Sequence, residues 1–246
     1  MKRPTLSVVT VVRNGADRIE RTVESVLAQD YPSIDYVVID GASTDGTLAR
    51  LETSHWRGRI ARLLSEPDRG IYDAMNKGLQ LATGEFVLFM NCGDVFATAT
   101  AVSAVMADVK GGGEQVVFAR WARRVAGRPD LVCAPDLASG RFNHQAIVYS
   151  RAIHRWHGDY LSVPGLSTAD YLFFATLLDS PEVAHRTSDA LLAIIDVDGV
   201  SAGRQTFSQK YAADYLVGRT SRLRLAAVLL LHPAYSALKR WLRGRR

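Results

Sequence analysis

The sequence has little cysteine, no long apolar run and no glycine-rich dinucleotide loop. Its two cysteines, Cys92 and Cys133, are isolated in a chain of 246 residues. That pattern excludes a cysteine zinc cluster and a disulfide framework, and favours a reducing compartment. No stretch reaches the roughly 18–20 apolar residues that a membrane-spanning helix needs, and the apolar run at 6–12 is too short for a signal peptide. We therefore expect a cytoplasmic protein.

The missing loop motifs also exclude two classes of nucleotide-binding enzyme. No Gly-x-Gly-x-x-Gly follows the first predicted strand, so a dinucleotide dehydrogenase is excluded. A nucleotidyltransferase usually needs a first loop rich in glycine and basic residues, and the segment RNGA at 13–16 does not supply one.

Charge is unevenly distributed along the chain. The formal net charge is +5, yet residues 219–246 hold eight basic and no acidic side chains, so the rest of the chain is slightly acidic at −3. A basic tail of this kind favours contact with an anionic surface, and a solvated end without a partner is the alternative. We expect no nucleic-acid partner.

The first 110 residues alternate between predicted strands and helices. The strands are expected at 6–12, 35–40, 60–65 and 85–90, and the helices at 16–29, from 47 onward and at 71–82. This alternation predicts an α/β fold with a doubly wound, mostly parallel sheet flanked by helices. Such sheets bind ligands outside the carboxyl ends of their strands, where Asp40 and Asp94 stand.

The helix predicted at 71–82 has one apolar face and one polar face. The residues expected to be buried are Ile71, Ala74, Met75, Gly78, Leu79 and Ala82. The residues expected on the opposite side are Asp73, Asn76, Lys77 and Gln80. After residue 110 the pattern weakens. Residues 115–126 predict a strand or a hairpin, 168–179 a helix and 190–197 another strand.

Four segments, taken in order, resemble the family-2 glycosyltransferases, which have the GT-A fold. They are SVVTVVRN at 7–14, VVIDGASTDGT at 37–47, the run at 65–94, and HQAIVYSR at 144–151 with STADYLF at 167–173. Among relatives, the chain is similar to bacterial enzymes that build exopolysaccharides such as colanic acid. The resemblance implies one domain at 1–215, with a nucleotide-sugar-binding half at 1–110 and an acceptor half at 111–215.

The resemblance also implies a reaction. An inverting enzyme of this kind moves one sugar from a nucleotide-diphosphate sugar to an acceptor hydroxyl, here on a lipid-linked saccharide in exopolysaccharide or cell-surface glycan synthesis. It uses a divalent metal, Mg²⁺ or Mn²⁺. The alternative is an inactive scaffold that binds nucleotide sugars within a polysaccharide assembly complex.

Asp40 is the first candidate donor-binding residue. An acid at the end of a buried strand can accept a hydrogen bond from the imide N–H of uracil or guanine, and in the family the acid at this place holds the base. The alternative is a turn or helix-capping acid, which is also open for Asp45. By resemblance, the base and ribose pocket is also lined by Thr10, Val12 and Asn14.

Asp94 is the candidate metal ligand. A carboxylate together with substrate phosphates can hold the divalent ion that neutralises a leaving diphosphate. The family usually has an Asp-x-Asp motif here, whereas the segment at 91–94 is NCGD and keeps one carboxylate. Cys92 is expected to pack, because a thiol is a poor ligand for Mg²⁺ or Mn²⁺.

The helix that opens near residue 70 is a second candidate donor site. A helix N-terminus favours anions, and basic side chains would add charge toward a diphosphate, while an acid could hold a sugar hydroxyl. The alternative is a solvated polar face. The donor-binding residues predicted here are Arg69, Gly70, Asp73, Asn76 and Lys77.

Asp170 is the candidate general base, which would take the proton from the acceptor hydroxyl. In relatives an acid at the start of a helix does this, often as Glu-Asp, whereas Ala169 precedes it here. An acid that only favours the helix dipole is the alternative. His144 and Gln145 match the family's His-Gln-Ala segment and are predicted to reach phosphate or acceptor, although a lone histidine is more often structural.

The tail at 216–246 is predicted to be amphipathic. Its apolar run at 225–238 lies between basic clusters, is too short to span a bilayer and contains Pro233. This composition suits a segment lying in the interface of an anionic membrane. It would place the protein peripherally on the inner face of the cell membrane. The alternative is a last helix that packs on the domain.

Overall fold

The computed structural model describes residues 3–53, 55, 56, 58–125, 127, 129–196 and 204–229, and the basic tail beyond 229 lies outside this range. The strands are β1 (Leu6–Val12), β2 (Ile34–Asp40), β3 (Arg62–Ser65), β4 (Phe86–Phe89), β5 (Val95–Phe96), β6 (Glu114–Arg124), β7 (Leu131–Cys133), β8 (Ile147–Ser150) and β9 (Val183–Asp196). The helices are α1 (Ile19–Leu27), α2 (Thr47–Leu51), α3 (Ile71–Leu81), α4 (Ala101–Met106), α5 (His154–His157), α6 (Ala169–Leu177) and α7 (Arg204–Leu216). Residues 222–229 are also helical.

One sheet runs through the fold in the order β3-β2-β1-β4-β8-β6-β9-β5, with β7 paired to β6. The first four strands are parallel neighbours, as the alternation of strands and helices predicts. The second half joins through the antiparallel pairs β4–β8 and β8–β6, while β9 lies parallel to β6. Of the two alternatives for 115–126, the strand forms, as β6, and its last residues pair in antiparallel fashion with the short strand β7 that follows.

The core covers both faces of the parallel strands. Every residue of β1 is buried, which explains its unbroken apolar, β-branched sequence. On one face of the sheet α1 contributes Ile19 and Val23 to the main apolar cluster. On the other face, Gly78 of α3 approaches so closely that a Cβ atom there would collide with Val9. The glycine therefore permits tight packing of helix on sheet.

The predicted buried face of α3 is largely confirmed. Ala74, Met75, Gly78 and Leu79 are buried. Asp73 is a correction, because it is also buried, although its polarity predicted the opposite side. Its carboxylate accepts hydrogen bonds from the preceding turn, and these bonds compensate for the loss of water.

The chain divides into two compact units. The first comprises 1–164 and 180–197 and carries the sheet; the second comprises 165–179 and 198–246 and carries α6 and α7. Within the second unit, Gln209 accepts from the backbone N–H of Ser167 at 2.8 Å and donates to the carbonyl of Gly165 at 2.7 Å. These bonds attach α7 to the turn that precedes α6.

Candidate functional site

The loops that follow β1 and β2 are joined by hydrogen bonds at the carboxyl edge of the sheet. The Asn14 side-chain oxygen accepts from the Thr44 N–H at 2.9 Å, and the Asn14 N–H donates to the Ser43 hydroxyl at 2.8 Å. The Gly15 N–H donates to the Thr47 hydroxyl at 2.9 Å. Asn14 adopts a φ of 53°, a left-handed conformation that asparagine tolerates better than most residues. Asn14 thus locks two loops together, and its predicted donor contact stays a prediction.

Asp40 ends β2 with its carboxylate fully buried. One oxygen, Oδ2, accepts from the Ser43 N–H at 3.1 Å and from the Ser65 hydroxyl at 2.7 Å. The other, Oδ1, has no hydrogen-bond partner among the described residues. A buried oxygen without a hydrogen-bond donor is costly. Asp40 Oδ1 is therefore an acceptor that a bound ligand could satisfy. The next residue, Gly41, lets the Asp68 carboxylate approach the end of the strand, because a side chain there would collide with it.

Thr10 and Val12 are residues of β1 and lie within the sheet, not in the loops that follow it. Thr10 is fully buried, and its hydroxyl donates to the Met90 carbonyl at 2.8 Å and lies 3.1 Å from the Tyr36 hydroxyl. Val12 is buried at the end of β1. Both residues thus belong to the strand that carries the first of these loops. Their predicted contacts with base and ribose stay predictions.

Asp45 caps α2. Its Oδ1 accepts from the Thr47 N–H at 3.0 Å, and its Oδ2 accepts from the Ala16 N–H at 3.0 Å. The hydrogen bond from the Thr47 hydroxyl is the main reason why the pKa of Asp45 lies below its usual value. The structure thus shows a capping contact for Asp45, and a ligand contact at this residue stays a hypothesis.

The turn before α3 is held by ion pairs. Asp73 accepts from the Arg69 N–H at 3.0 Å and from its guanidinium at 2.9 Å, and the backbone bond is the main cause of its lowered pKa. Lys77 lies 2.9 Å from Glu66 and 3.6 Å from Asp73. Gly70, with a φ of 127°, occupies a conformation that only glycine adopts readily. Asp73 thus positions Arg69, whose side chain stays 84% exposed and can meet an anion.

Asn76 anchors a distant backbone segment. Its amide donates to the Tyr160 carbonyl at 2.8 Å and accepts from the Tyr160 N–H at 3.0 Å. The ring of Tyr160 packs edge-on against Phe89, with centroids 5.7 Å apart. Both ends of the Asn76 amide are therefore engaged in the fold, and its predicted donor contact stays a prediction.

Asp94 lies at the centre of a second cluster, following β4. Its Oδ2 accepts from the Gln145 amide at 2.7 Å, and its Oδ1 accepts from the Asp196 N–H at 3.1 Å. The Asn91 amide nitrogen lies 3.0 Å from His144 Nε2. The structure thus brings together three residues that the sequence singled out separately, namely Asp94, His144 and Gln145.

Electrostatics at Asp94 differ from those of an exposed acid. Burial raises its pKa to about 6, although the hydrogen bonds from Asp196 N–H and Gln145 counteract part of the rise. The nearby charge of Asp196 pushes the pKa in the same direction as burial. A cation at this place would therefore relieve an unfavourable buried charge.

The chemistry of the cluster fits a hard divalent cation. Besides the Asp94 carboxylate, the side-chain carbonyl oxygens of Asn91 and Gln145 are buried and have no hydrogen-bond partner within the described ranges. All three are oxygen ligands, and Mg²⁺ is commonly held by one or two carboxylates plus substrate phosphates. No group of three or more histidine, cysteine, aspartate or glutamate side chains suited to a metal occurs in the described part of the chain.

Cys92 packs, as expected. Its sulfur lies 3.8 Å from the Gly15 carbonyl, and a Cβ atom on Gly15 would come within 2.6 Å of it. Burial raises the pKa of the thiol to about 12. The thiol is therefore protonated at neutral pH and is not a metal ligand in this form.

Sequence reasoning missed Asp196 and Arg21. The Asp196 carboxylate pairs with the guanidinium of Arg21, which comes from α1. Asp196 ends β9 as Asp40 ends β2. An acid closing a predicted strand was therefore the available signal, but the pairing of that strand with the Asp94 segment was not visible in the sequence.

Asp170 belongs to the second unit, in the first turn of α6 after Thr168. It is partly exposed. The adjacent Tyr171 donates its hydroxyl hydrogen to Asp214, and Lys210 contacts both groups, at 3.1 Å and 2.9 Å. These contacts hold the first turn of α6 on α7, and the role of Asp170 as base stays a prediction.

Solved structures share this fold. TarS of Staphylococcus aureus (residues 1–349, in complex with UDP) matches with a TM-score of 0.66 and 20% identity, over 90% of this chain and 68% of that chain. The mannosyltransferase PcManGT of Pyrobaculum calidifontis, in complex with GDP-Man and Mn²⁺, matches with a TM-score of 0.67 and 20% identity, over 93% and 70%. The chain therefore has a GT-A-type fold.

Sequence relatives point in the same direction. An uncharacterized glycosyltransferase of Mycobacterium tuberculosis is 40% identical over 111 residues, which are 45% of this chain and 42% of the relative. The match thus spans less than half of that relative's length. A PGL/p-HBAD biosynthesis glycosyltransferase of Mycobacterium bovis is 28% identical over 78% of this chain and 77% of its own.

The family itself follows from a match over the strands and loops just described. The sequence model of glycosyl transferase family 2 matches residues 7–135, which is more than half of the chain and includes both Asp40 and Asp94. The chain therefore belongs to glycosyl transferase family 2.

Proposed function

We propose that this protein transfers one sugar from a nucleotide-diphosphate sugar to an acceptor hydroxyl, with inversion and with a divalent cation. The observation that carries the proposal is the Asp94 cluster, which contains a buried carboxylate and two buried amide oxygens, of Asn91 and Gln145, that lack partners among the described residues. The acceptor in the proposal is a lipid-linked saccharide of exopolysaccharide or cell-surface glycan synthesis.

The nucleotide would bind at the end of β2. Asp40 Oδ1, which has no partner in the part of the chain that the structure describes, can accept the imide N–H of uracil or guanine, since both bases carry this donor. Structures of similar fold are complexes with UDP-GlcNAc and with GDP-Man, so the proposal includes both bases. Arg69, exposed and held by Asp73, would meet the diphosphate.

The Asp94 cluster would hold the cation. When bound, such an ion acts as a Lewis acid on the diphosphate leaving group. Asp94, Asn91 and Gln145 supply the protein ligands in the proposal. His144, next to Asn91, would face the phosphate or acceptor.

Asp170 is the proposed base. Its carboxylate takes the proton from the acceptor hydroxyl while that oxygen bonds to the anomeric carbon. The bond from this carbon to the diphosphate breaks on the opposite face, so the configuration inverts. The hydrogen-bonded contact between α6 and α7 supports a fixed position for the first turn that carries Asp170.

Binding and transfer by the full chain test the proposal. Nucleotide sugars with different bases are screened for thermal stabilisation with Mn²⁺ and with EDTA, and the best donor is then used in a transfer assay. We expect Asp170→Asn to retain the donor-dependent stabilisation but to lose transfer by roughly 10²–10⁴-fold. Asp179→Asn, an exposed acid in the same unit, is the matched control.

The outcomes separate the alternatives. Normal transfer by Asp170→Asn would assign the base to another residue. Donor binding without transfer or hydrolysis by the unaltered chain would favour the inactive scaffold. No stabilisation by any nucleotide sugar, with or without metal, contradicts the proposal as a whole.

A peripheral membrane location is part of the proposal. Toward the tail, Leu216, Leu223 and Leu229 are 72%, 84% and 48% exposed, and Arg222 and Arg224 are exposed beside them. Apolar and basic side chains together suit the interface of an anionic bilayer, where each basic residue contributes about 1 kcal/mol. Within the described ranges, no helix combines the length and apolar character that crossing a membrane requires.

Flotation with vesicles tests this location. The full chain is expected to float with phosphatidylserine-containing vesicles at low salt, to dissociate at high salt, and to lose binding when cut after Leu216. Vesicles of phosphatidylcholine alone are the control. A full chain that stays in solution with anionic vesicles at low salt contradicts the membrane proposal.

A further inference from the structure

We propose that Asp196 supplies the second carboxylate of the Asp94 cluster, and that Arg21 competes with a divalent cation for it. The inference rests on the proposed cation site at Asp94. It names two further residues, one that strengthens cation binding and one that opposes it.

The sheet fixes Asp196 beside Asp94. The short strand β5 follows Asp94 directly and pairs with β9 in antiparallel fashion, with Val95 opposite Ile194. This register places the end of β9 next to the turn at 93–94. The Asp196 N–H then donates to Asp94 Oδ1 at 3.1 Å. Two backbone strands, rather than flexible loops, therefore bring the two acids together.

Helix α1 approaches the same turn from the other side. The Thr22 hydroxyl accepts from the Gly93 N–H and donates to the Asp94 carbonyl, both at 2.9 Å. The neighbouring Arg21 reaches the Asp196 carboxylate. A Cβ atom on Gly93 would lie 3.3 Å from the Arg21 guanidinium, so the glycine leaves room for this cation.

The cluster also has acceptor capacity that the fold does not use. Gln145 is 8% exposed and donates to Asp94 through its amide nitrogen, while its Oε1 has no partner among the described residues. Arg21 Nε is buried and lacks a partner in the same range. Part of the Arg21 guanidinium is thus not satisfied by the described residues, and an amide oxygen without a donor in that range is suited to a cation.

The charges predict opposite effects for the two residues. Without a divalent ion, Arg21 offsets the negative charge of Asp196 and limits its repulsion with Asp94. With a divalent ion, the guanidinium is a like charge close to the site and claims one of its carboxylates. Removal of Asp196 should therefore weaken cation binding, whereas removal of the Arg21 charge should strengthen it. A purely structural ion pair would give changes of the same sign.

Direct binding of Mn²⁺ to the full chain tests the inference. Free Mn²⁺ is measured by electron paramagnetic resonance, for the chain alone and with UDP or GDP, and melting temperatures are recorded without metal. We expect Asp196→Asn to weaken binding about tenfold and Arg21→Gln to strengthen it about three- to tenfold, as for the gain or loss of one nearby charge. Arg18→Gln is the matched control, since it removes the charge of the N-cap residue of the same helix, which pairs instead with Asp17, and its effect should be smaller.

Several results would overturn the inference. Unchanged Mn²⁺ binding by Asp196→Asn excludes that carboxylate from the site. Weaker binding by Arg21→Gln, together with a lower melting temperature, assigns the pair to fold stability alone. An equal gain from Arg18→Gln and Arg21→Gln assigns the effect to general charge.

Failure of the proposed function is distinguishable from these results. If Asp94→Asn binds Mn²⁺ as well as the unaltered chain, or if that chain takes up no Mn²⁺ under either condition, the proposed cation site itself is wrong. If Asp94→Asn loses binding while Asp196→Asn does not, only the role given to Asp196 is overturned.

Discussion

Strand β2 carries one buried aspartate near each end, and their surroundings differ. Near its start, Asp35 accepts from the Ser7 hydroxyl at 2.7 Å and from the Thr83 N–H and hydroxyl at 2.8 Å, and it pairs with Arg62. At its end, Asp40 has an oxygen without a hydrogen-bond partner in the described part of the chain. Both oxygens of the Asp35 carboxylate thus have hydrogen-bond donors, whereas only one oxygen of the Asp40 carboxylate has donors among the described residues.

The two edges of the sheet also differ in the pKa values of an acid at each, Asp35 at the amino edge and Asp94 at the carboxyl edge. Burial alone would raise the pKa of Asp35, but the bonds from Ser7, Thr83 and Arg62 outweigh it and hold the pKa below its usual value. At the opposite edge, burial dominates at Asp94 and raises its pKa to about 6. The fold supplies the donors at the amino edge. At the carboxyl edge it leaves carboxylates that a ligand or cation can satisfy.

The largest expected effect is on transfer, at the carboxyl edge. If Asp94 holds the cation that stabilises the leaving diphosphate, Asp94→Asn should lower transfer by about 10²-fold or more. EDTA should have the same effect on the unaltered chain. The melting temperature in EDTA should change little, because the Gln145 amide can turn over so that its oxygen, which lacks a partner among the described residues, accepts from the asparagine amide.

Two results would contradict this prediction for the carboxyl edge. Full transfer in EDTA would exclude a cation from the reaction. A large loss of stability in Asp94→Asn would show that Asp94, like Asp35, mainly holds the fold together.

The next effect is on stability, at the amino edge. Asp35→Asn places an amide donor either against Arg62 or against the Ser7 and Thr83 donors, so one of these two sets of donors loses its acceptor. Loss of one member of such a network should lower the free energy of unfolding by about 2–4 kcal/mol. Chemical unfolding measures this loss, and transfer per folded molecule should stay near that of the unaltered chain. A variant that unfolds normally but transfers poorly would reverse the roles of the two edges.

The parts of this arrangement predictable from sequence are local. The unbroken apolar run of β1, the acids that follow β2 and β4, and the helical spacing of α3 all indicate structure within short windows. Most ends of the predicted helices and strands differ from the structure by only a few residues, as for α1, which begins at Ile19 rather than 16. The strand predicted at 190–197 is an exception, because β9 begins at Val183.

The parts that were missed depend on long-range pairing. Asp94 and Asp196 are 102 positions apart, and Arg21 and Asp196 are 175 apart, so no local pattern connects them. The buried position of Asp73 was missed for a different and local reason. Polarity predicts exposure, but the turn before α3 folds back to donate to that carboxylate.

The smallest expected effect is on the pH dependence of stability, because unfolding changes the number of bound protons by less than one at each acid. The change should have opposite signs at the two edges of the sheet. The pKa of Asp94 in the folded chain, about 6, lies above the value of about 3.9 typical of unfolded chains. Between these values the folded state binds more protons, so the contribution of Asp94 to stability decreases as the pH rises from about 4 to 6. The pKa of Asp35 is lowered in the folded chain. Its contribution is therefore present above the unfolded pKa and is lost as the pH falls through the folded pKa.

Unfolding by urea in EDTA, at several pH values from 4 to 7, measures both signs. Relative to the unaltered chain, Asp94→Asn should gain stability as the pH rises through this window. The deficit of Asp35→Asn should instead be largest at neutral pH and should shrink toward pH 4, as the unfolded carboxyl begins to bind a proton. Parallel profiles for the three proteins would show that the two edges do not differ in their protonation. Opposite slopes would show that the amino edge is built to keep its carboxylate charged, whereas the carboxyl edge holds a charge that the fold alone does not compensate.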